Sequence, residues 1–381
     1  MKNILIFTLN NSSPKGGSEK LWRKLAESLV ARGHRVTASV YRHHREFLSA
    51  NLDGRVELRT RQPKRHGTTM ISKVVNRLIG GYMEHRQIRS EIRRCKPDFV
   101  FFSFGGFAEL DNPKILDALS GLSVPYSAAF HSNTENYAFQ INSIPGAQKF
   151  WSNAVCNYVV SRRIAEIFQR QIGLQELNYT LAVNPMDDVQ SCSIDLYQLR
   201  DSTVEMAFIG TLDIGVKGIA LLIQTLASCD FGETEWELNL FGEGQDRVVI
   251  QKLIDQFGLK NRIHIQGWTD NIDEVWANHH LLVLPSFNEG MPMVIHEAML
   301  RKRVVVATDV GGNSEVIENK VTGFISPAAT LSQLKETLET SIAAREQWAN
   351  MAVSAQSAIL KFRSSGHSIK DILSDIEHEL H

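Results

Sequence analysis

LLVLPSFNEGMPMVIHEAMLRKRVVVATD, residues 281–309, reads as a strand, a loop, a helix and a second strand. LLVL and VVVA are short, wholly apolar runs, as in strands of a parallel sheet covered on both faces. Between them Pro292 suits a first helical turn, where its missing N–H costs nothing. The same alternation extends to either side: VEMAFIG (204–210), WELNLFG (236–242) and RIHIQG (262–267) before it, GFIS (323–326) after it. GIALLIQTLAS and PMVIHEAML are helices of this series.

An earlier series has the same character. NILIFTL (3–9), RVTASVY (35–41), DFVFFSF (98–104), VPYSAAFH (124–131) and AVCNYVV (154–160) are strands. EKLWRKLAESLVARG is a helix ended by Gly33, and SRRIAEIFQRQIG a helix with Ser161 at its start and Gly173 at its end. A pattern that runs once and then restarts predicts an α/β chain of two Rossmann-like domains, 1–185 and 186–362, joined near 180–203. The chain from about Leu331 onward is helical throughout, and its last part, 363–381, is expected to cross back to the first domain.

At 381 residues the chain is comfortable for two such domains. Lys plus Arg (41) nearly balance Asp plus Glu (42), which argues against a nucleic-acid partner. No apolar run approaches the ~20 residues that span a bilayer, and MKNILIFTLN is too short for a signal-peptide core, so a cytoplasmic location is expected. Cys95, Cys156, Cys192 and Cys229 are scattered and read as reduced thiols. Residues 55–96 are strongly basic, with Met70, Ile71, Val74, Val75, Leu78, Ile79, Tyr82 and Met83 spaced for one helix face. Such a helix either lies on an anionic membrane, where it would reach a lipid-linked acceptor, or packs its stripe on the sheet as an ordinary surface helix.

In open α/β sheets, ligands bind at the carboxyl ends of the strands. Pro285 and Ser286 end one strand, and Glu289 and Gly290 lie in the loop that follows. Gly290 and Met291 can present backbone N–H groups to an anion at the helix start. Glu297 lies eight residues after Glu289, on the turn of the helix that still looks toward the loop, and a carboxylate there can accept two hydrogen bonds from a vicinal diol such as a ribose.

Glu289 to Glu297, with the flanking Pro-Ser and Glu-Ala-Met, resembles the E-x7-E signature of the family 4 retaining glycosyltransferases. ATDVGGNSEVIENKVTGFISP (307–327), FIGTLDIGVKGIALLI (208–223), FGEGQDR (241–247) and RIHIQGWTDNIDEVWANHHLLVLPS (262–286) resemble further segments of that family, in its order. The N-terminal half is similar through the glycine pair of PKGGSEK and the His of FHSN.

The resemblance implies a GT-B architecture with the active site in a cleft between the domains. It implies that Glu297 binds the donor ribose, Glu289 the hydroxyls of the transferred sugar, and Gly290–Met291–Pro292 the sugar and diphosphate. Lys217 would pair with the diphosphate, Gly16 and Gly17 would open the first helix toward it, His131 would line the sugar site, and the base would lie near Gly267 and Trp268. The implied reaction moves a sugar from a UDP- or GDP-sugar to a glycan, lipid-linked or small-molecule acceptor with retention. It needs no cofactor and no metal, and no Asp-x-Asp stands in a strand-end loop to hold one. No carboxylate of these motifs is an obvious nucleophile, which favours a front-face route.

One departure stands out: Thr211 occupies the place where similar enzymes commonly carry Arg, and a hydroxyl cannot make a bidentate charged clamp. Arg247, and more weakly Arg23, are candidates to replace that cation. A partner subunit that has lost catalytic power is therefore one alternative, and a nucleotide-sugar epimerase of the same architecture another. A dehydrogenase fits less well, because no G-x-G-x-x-G follows the first strand. Gly16 and Gly17 could simply make a turn, His131 could be a satisfied core histidine, Lys217 a surface lysine, and His296 reads as structural rather than catalytic.

Overall fold

The structure is a computed structural model that describes residues 1–10, 16–61, 81–186 and 203–380. Its contacts divide the chain into two units, Met1–Pro185 with Gly366–His381, and Met186–Ser365.

In the first unit, β1 (Asn3–Thr8), α1 (Gly17–Ala31), β2 (Arg35–Tyr41), α2 (Arg45–Asn51), β3 (Glu57–Arg61), α3 (Gly81–Cys95) and β4 (Phe99–Phe104) are followed by α4 (Pro113–Ser120), β5 (Tyr126–Phe130), α5 (Ile144–Asn153), β6 (Asn157–Val159), α6 (Arg162–Ile172) and β7 (Thr180–Leu181). The strands form one parallel sheet in the order β3-β2-β1-β4-β5-β6-β7. Leu21, Trp22, Leu25 and Leu29 of α1 bury one face against Ile4 and Ile6 of β1 and Val36 and Ala38 of β2. Ile372, Leu373 and Ile376 of the helix Ile369–Glu379 close the same cluster. Each such side chain taken out of water contributes roughly 1.5–3 kcal/mol, so this short helix is held by its apolar face. Its polar contacts fix the register: the Tyr158 hydroxyl donates to Asp375 at 2.7 Å, and Arg32 pairs with Glu377 at 3.1 Å.

Two readings of the sequence change here. Residues 57–61, at the start of the basic stretch, are a strand whose arginines are taken up by the fold. Arg61 is buried between the Phe7 and Tyr41 rings and donates to the Thr8 and Ser39 carbonyls. Arg59 pairs with Glu57 (2.8 Å) and Glu91 (3.6 Å), and Arg55 and Arg89 with Asp53 (2.7 Å) and Asp117 (3.2 Å), two carboxylates outside the basic stretch. These arginines serve the fold of the unit. Residues 62–80, which hold most of the apolar stripe with Lys73 and Arg77, lie outside the described residues. Ser161 stands at the start of α6, but its hydroxyl makes no capping bond; Gly173 ends that helix in the left-handed conformation, φ 67°.

The second unit runs β8 (Val204–Ile209), α7 (Ile214–Lys217), α8 (Ile219–Ser228), β9 (Trp236–Phe241), α9 (Arg247–Gln256), β10 (Ile263–Gly267), α10 (Ile272–Asn278), β11 (Leu281–Leu284), α11 (Met293–Leu300), β12 (Val304–Thr308), α12 (Asn313–Val316), β13 (Phe324–Ser326), α13 (Leu331–Ala343) and α14 (Trp348–Ser365). Its sheet is parallel throughout, in the order β10-β9-β8-β11-β12-β13. Leu281–Leu284 and Val304–Ala307 are buried to the last residue, as their unbroken apolar runs require.

Both sheets therefore start at an inner strand, wind outward to one edge, and restart on the other side of the first strand. That reversal leaves a crevice where the loops after the two central strands part in opposite directions, after β1 and β4 in one unit and after β8 and β11 in the other. Among the described residues, no helix is long and apolar enough to cross a membrane. Cys95, Cys156 and Cys229 are unpaired and half-buried, and burial pushes the Cys229 thiol up to about 12; Cys192 lies outside the described residues.

Candidate functional site

In the second unit the loops after β8 and β11 carry Lys217 and Glu289. Asp213 caps α7 by accepting from the Val216 N–H at 3.0 Å, which sets Lys217 at the end of that short helix. The Lys217 Nζ donates to Glu289 Oε1 at 2.6 Å, and the Ser286 hydroxyl donates to the same oxygen at 2.7 Å. Glu289 is 8% exposed and Ser286 fully buried. A carboxylate so far out of water needs its charge balanced, and breaking such a pair leaves an uncompensated charge. Any ligand that draws Lys217 away must therefore return hydrogen bonds to Glu289.

The segment after β12 holds this loop in shape. Thr308 Oγ1 donates to the Ser286 carbonyl at 2.6 Å, the Gly312 N–H to the Gly290 carbonyl at 2.8 Å, and Asn313 Nδ2 to the Thr308 carbonyl at 2.9 Å. Gly311 has φ 53°, and a Cβ there would stand 2.3 Å from the Glu289 carbonyl oxygen. The resemblance of 307–327 to a family segment thus has a physical basis: it is the support on which the Glu289 loop rests.

Pro292 is the residue before the first turn of α11 rather than within it. Met291 is buried, and Glu297 sits half-buried one turn from the helix end. His296 lies in the interior against the Phe362 ring, with Arg363 donating toward its Nδ1 at 3.2 Å. Burial pushes it down to about 3, so it is neutral and structural, as the sequence suggested.

The neighbouring loops converge on the same end of the sheet. Asp246 accepts from the Ile214 N–H at 2.9 Å, and its own N–H donates to the Leu212 carbonyl at 3.3 Å. These bonds lay the start of α9, with exposed Arg247, along the loop that carries exposed Thr211. The Gly242 N–H donates to the Gly267 carbonyl at 2.8 Å, where Gly267 has φ 81°, and Trp268 beside it is 54% exposed.

In the first unit, Gly16 precedes α1 and Gly17 is its first residue; the Gly16 carbonyl accepts the Glu19 and Lys20 N–H groups. His131 follows β5. It is 9% exposed, both ring nitrogens lack a partner, and burial lowers it to about 4, so it is a neutral imidazole. Orphaned buried polar atoms are rare and costly, which argues against a satisfied core histidine. Arg23 lies over the Phe47 ring, 5.4 Å from its centroid.

Sequence reasoning passed over Glu19. A first-turn carboxylate normally reads as a solvated partner of the helix dipole. Here it is fully buried, accepting from Asn10 Nδ2 at 3.0 Å and Trp22 Nε1 at 2.7 Å. Burial raises it to about 7. Because that exceeds its unfolded value, its contribution is complete below about pH 4.5 and is lost as pH rises through about 7, by about 3 kcal/mol at most. Glu19→Gln is expected to remove this slope. Urea midpoints at pH 5 and pH 8 measure it, and an unchanged slope in the variant would show that Glu19 is not its source.

The two sheets and their switch-point loops define a GT-B glycosyltransferase fold. Residues 203–343, within the second unit, match the family described as "Glycosyl transferases group 1". The chain is 28% identical over 165 residues to the alpha-D-kanosaminyltransferase of Streptomyces kanamyceticus, a match covering 42% of this chain and 43% of that enzyme. It spans less than half the length of the first curated relatives it matches. Among solved structures, Anabaena Alr3699/HepE in complex with UDP superposes with a TM-score of 0.71 at 20% identity, over 100% of this chain and 99% of that one. Staphylococcus aureus TarM, in a complex that includes UDP, superposes with a TM-score of 0.72 at 12% identity over the whole of both chains.

Proposed function

We propose that the chain transfers a sugar from a nucleoside diphosphate donor to a glycan, lipid-linked or small-molecule acceptor, with retention and without a metal. The Lys217–Glu289 pair at the switch point of the second sheet carries this reading. Lys217 leaves Glu289 for the diphosphate and meets the charge that builds on it as the glycosidic bond breaks. Glu289, still held by Ser286, then accepts from hydroxyls of the transferred sugar. Glu297 accepts from the ribose diol, and the start of α11 turns its N–H groups toward negative charge. His131, a neutral imidazole, offers a sugar hydroxyl one donor and one acceptor. With no carboxylate placed as a nucleophile by these motifs, the leaving phosphate accepts the acceptor's proton on the front face. HepE and TarM were both seen with UDP, which favours a UDP-sugar over a GDP-sugar here.

Thermal shift against UDP- and GDP-sugars tests the donor: a ligand at one hundred times its Kd adds about 2.7 kcal/mol. Turnover is expected to continue in excess chelator, with the anomeric configuration of the donor kept in the product. Activity lost to chelator and restored by magnesium, or an inverted product by NMR, would each remove that part of the reading.

Thr211 favours a second reading, a subunit that binds donor but turns it over poorly. The hydrogen bonds of Asp246 to the Thr211 loop make Arg247 the cation best set to take the missing place. Arg247→Ala is then expected to weaken UDP binding by roughly 1.5–3 kcal/mol, the worth of a charged hydrogen bond. Unchanged binding, together with slow turnover in the wild type, would support the second reading.

A further inference from the structure

A parallel sheet covered by helices on both faces is apolar on both. The β8–β10 half of the second sheet departs from this. Val204, Met206, Phe208, Leu238, Leu240 and Ile263 form a buried apolar face. On the other face, the pairings Glu205↔Glu237 and His264↔Asn239 set polar side chains side by side, with the small Ala207 opposite Asn239. Between this face and the short helix α10 lies a groove of about 580 Å³, lined among others by Glu205, Asn239, Phe241, Gln266, Glu274, Asn278 and His279. That volume is within the roughly 300–1,000 Å³ of ordinary ligand sites.

The lining selects among ligands. It contains no Lys or Arg, so an anion would meet Glu205 and Glu274 with nothing to balance it. Among the described residues, no group of His, Cys, Asp and Glu is arranged to hold a metal ion. Asn239 and Gln266 are joined by a hydrogen bond of 2.5 Å, which fixes their amides side by side. Asn, Gln and Glu together offer the mixture of donors and acceptors that hydroxyl groups match. The Phe241 ring, met edge-on by His279 at 5.3 Å, supplies an apolar surface for the C–H face of a sugar ring. His279 donates from its Nδ1 to the Val275 carbonyl at 2.6 Å, which fixes the ring beside Phe241.

We propose that this groove is a second carbohydrate site, which holds an uncharged short saccharide without taking part in transfer. It does not require the donor reading, since none of its groups belongs to the Lys217–Glu289 loops; Gln266 adjoins Gly267, where the base is expected, and Asn278 does not.

Isothermal titration of the full chain, in the presence and in the absence of excess UDP, with maltotriose and with chitotriose tests it. At least one trisaccharide is expected to bind saturably. Gln266→Ala and Asn278→Trp, both at exposed positions, are expected to weaken that binding at least tenfold, the first by removing an amide and the second by filling the groove. UDP titration of the Asn278→Trp variant should be unchanged. Absence of binding by both trisaccharides, or equal affinity in wild type and variants, overturns the proposal, and so does retention of the polycation spermine in their place. If UDP binds and the saccharides do not, the groove falls and the donor reading stands. If the saccharides bind in this variant-sensitive way and UDP does not, the reverse holds.

Discussion

Lys217→Ala is expected to cut turnover roughly 10²–10³-fold, the usual cost of losing one group that meets charge in the transition state. Glu289→Gln should do comparable damage by a different route. In the resting site Glu289 accepts from both Lys217 and Ser286 through one oxygen. An amide keeps a single acceptor oxygen and carries no charge, so Lys217 loses its partner and the sugar loses an ionised acceptor. Because Lys217 acts mainly as charge grows on the leaving group, its loss should fall on kcat more than on KM. Glu289→Gln should raise KM as well, since it touches the sugar before reaction. Steady-state kinetics on both variants, with UDP affinity and melting temperature as controls for folding, separate these outcomes. A purified Lys217→Ala enzyme with wild-type kcat would take Lys217 out of the mechanism.

Gly218→Ala is expected to damage the second unit and its site together. Gly218 sits between α7 and α8 with φ 65°, and a Cβ would lie 2.0 Å from the Pro285 carbonyl oxygen. The left-handed conformation costs a residue with a Cβ about 1–3 kcal/mol. The collision adds to that, because the atom in the way is backbone and cannot turn aside. Relief requires that the Lys217 loop and the Pro285–Ser286 end of β11 move apart, which opens the Lys217–Glu289 contact. A fall in melting temperature of about 2–4 °C per kcal/mol and a loss of turnover should therefore appear together. Gly215→Ala is the control. Its Cβ would be exposed, 3.4 Å from Asp213 Oδ1, and should leave both quantities near wild type. Equal behaviour of the two variants would show that the close approach at Gly218 does not hold the site.

How much of this was legible beforehand depended on the range of the interaction. Strands such as LLVL and VVVAT, the end of α6 at Gly173 and the two-unit alternation are local consequences of side-chain pattern and backbone freedom, and they stand in the sequence. So do Glu289 and Lys217 as residue types at strand ends. The strand at 57–61 was hidden because its arginines read as surface charge. Arg61 satisfies its guanidinium from the Thr8 and Ser39 carbonyls and two aromatic faces, partners up to fifty-three positions away in the chain. Glu19 was hidden for the same reason: nothing in GGSEK distinguishes a solvated carboxylate from a buried one until Asn10 and Trp22 close over it.

The sequence by itself determined the two α/β series and the residues able to meet a nucleoside diphosphate sugar, because periodicity and strand-end chemistry are written locally. Only the tertiary structure decided that Lys217 and Glu289 share one hydrogen bond, that residues 307–313 brace their loop, that His131 is a buried neutral imidazole, and that one face of β8–β10 is polar and open. Each of these depends on which strands become neighbours in the sheet. Strand order is set by the packing of the whole chain, and segments a hundred residues apart carry no mark of it until they meet.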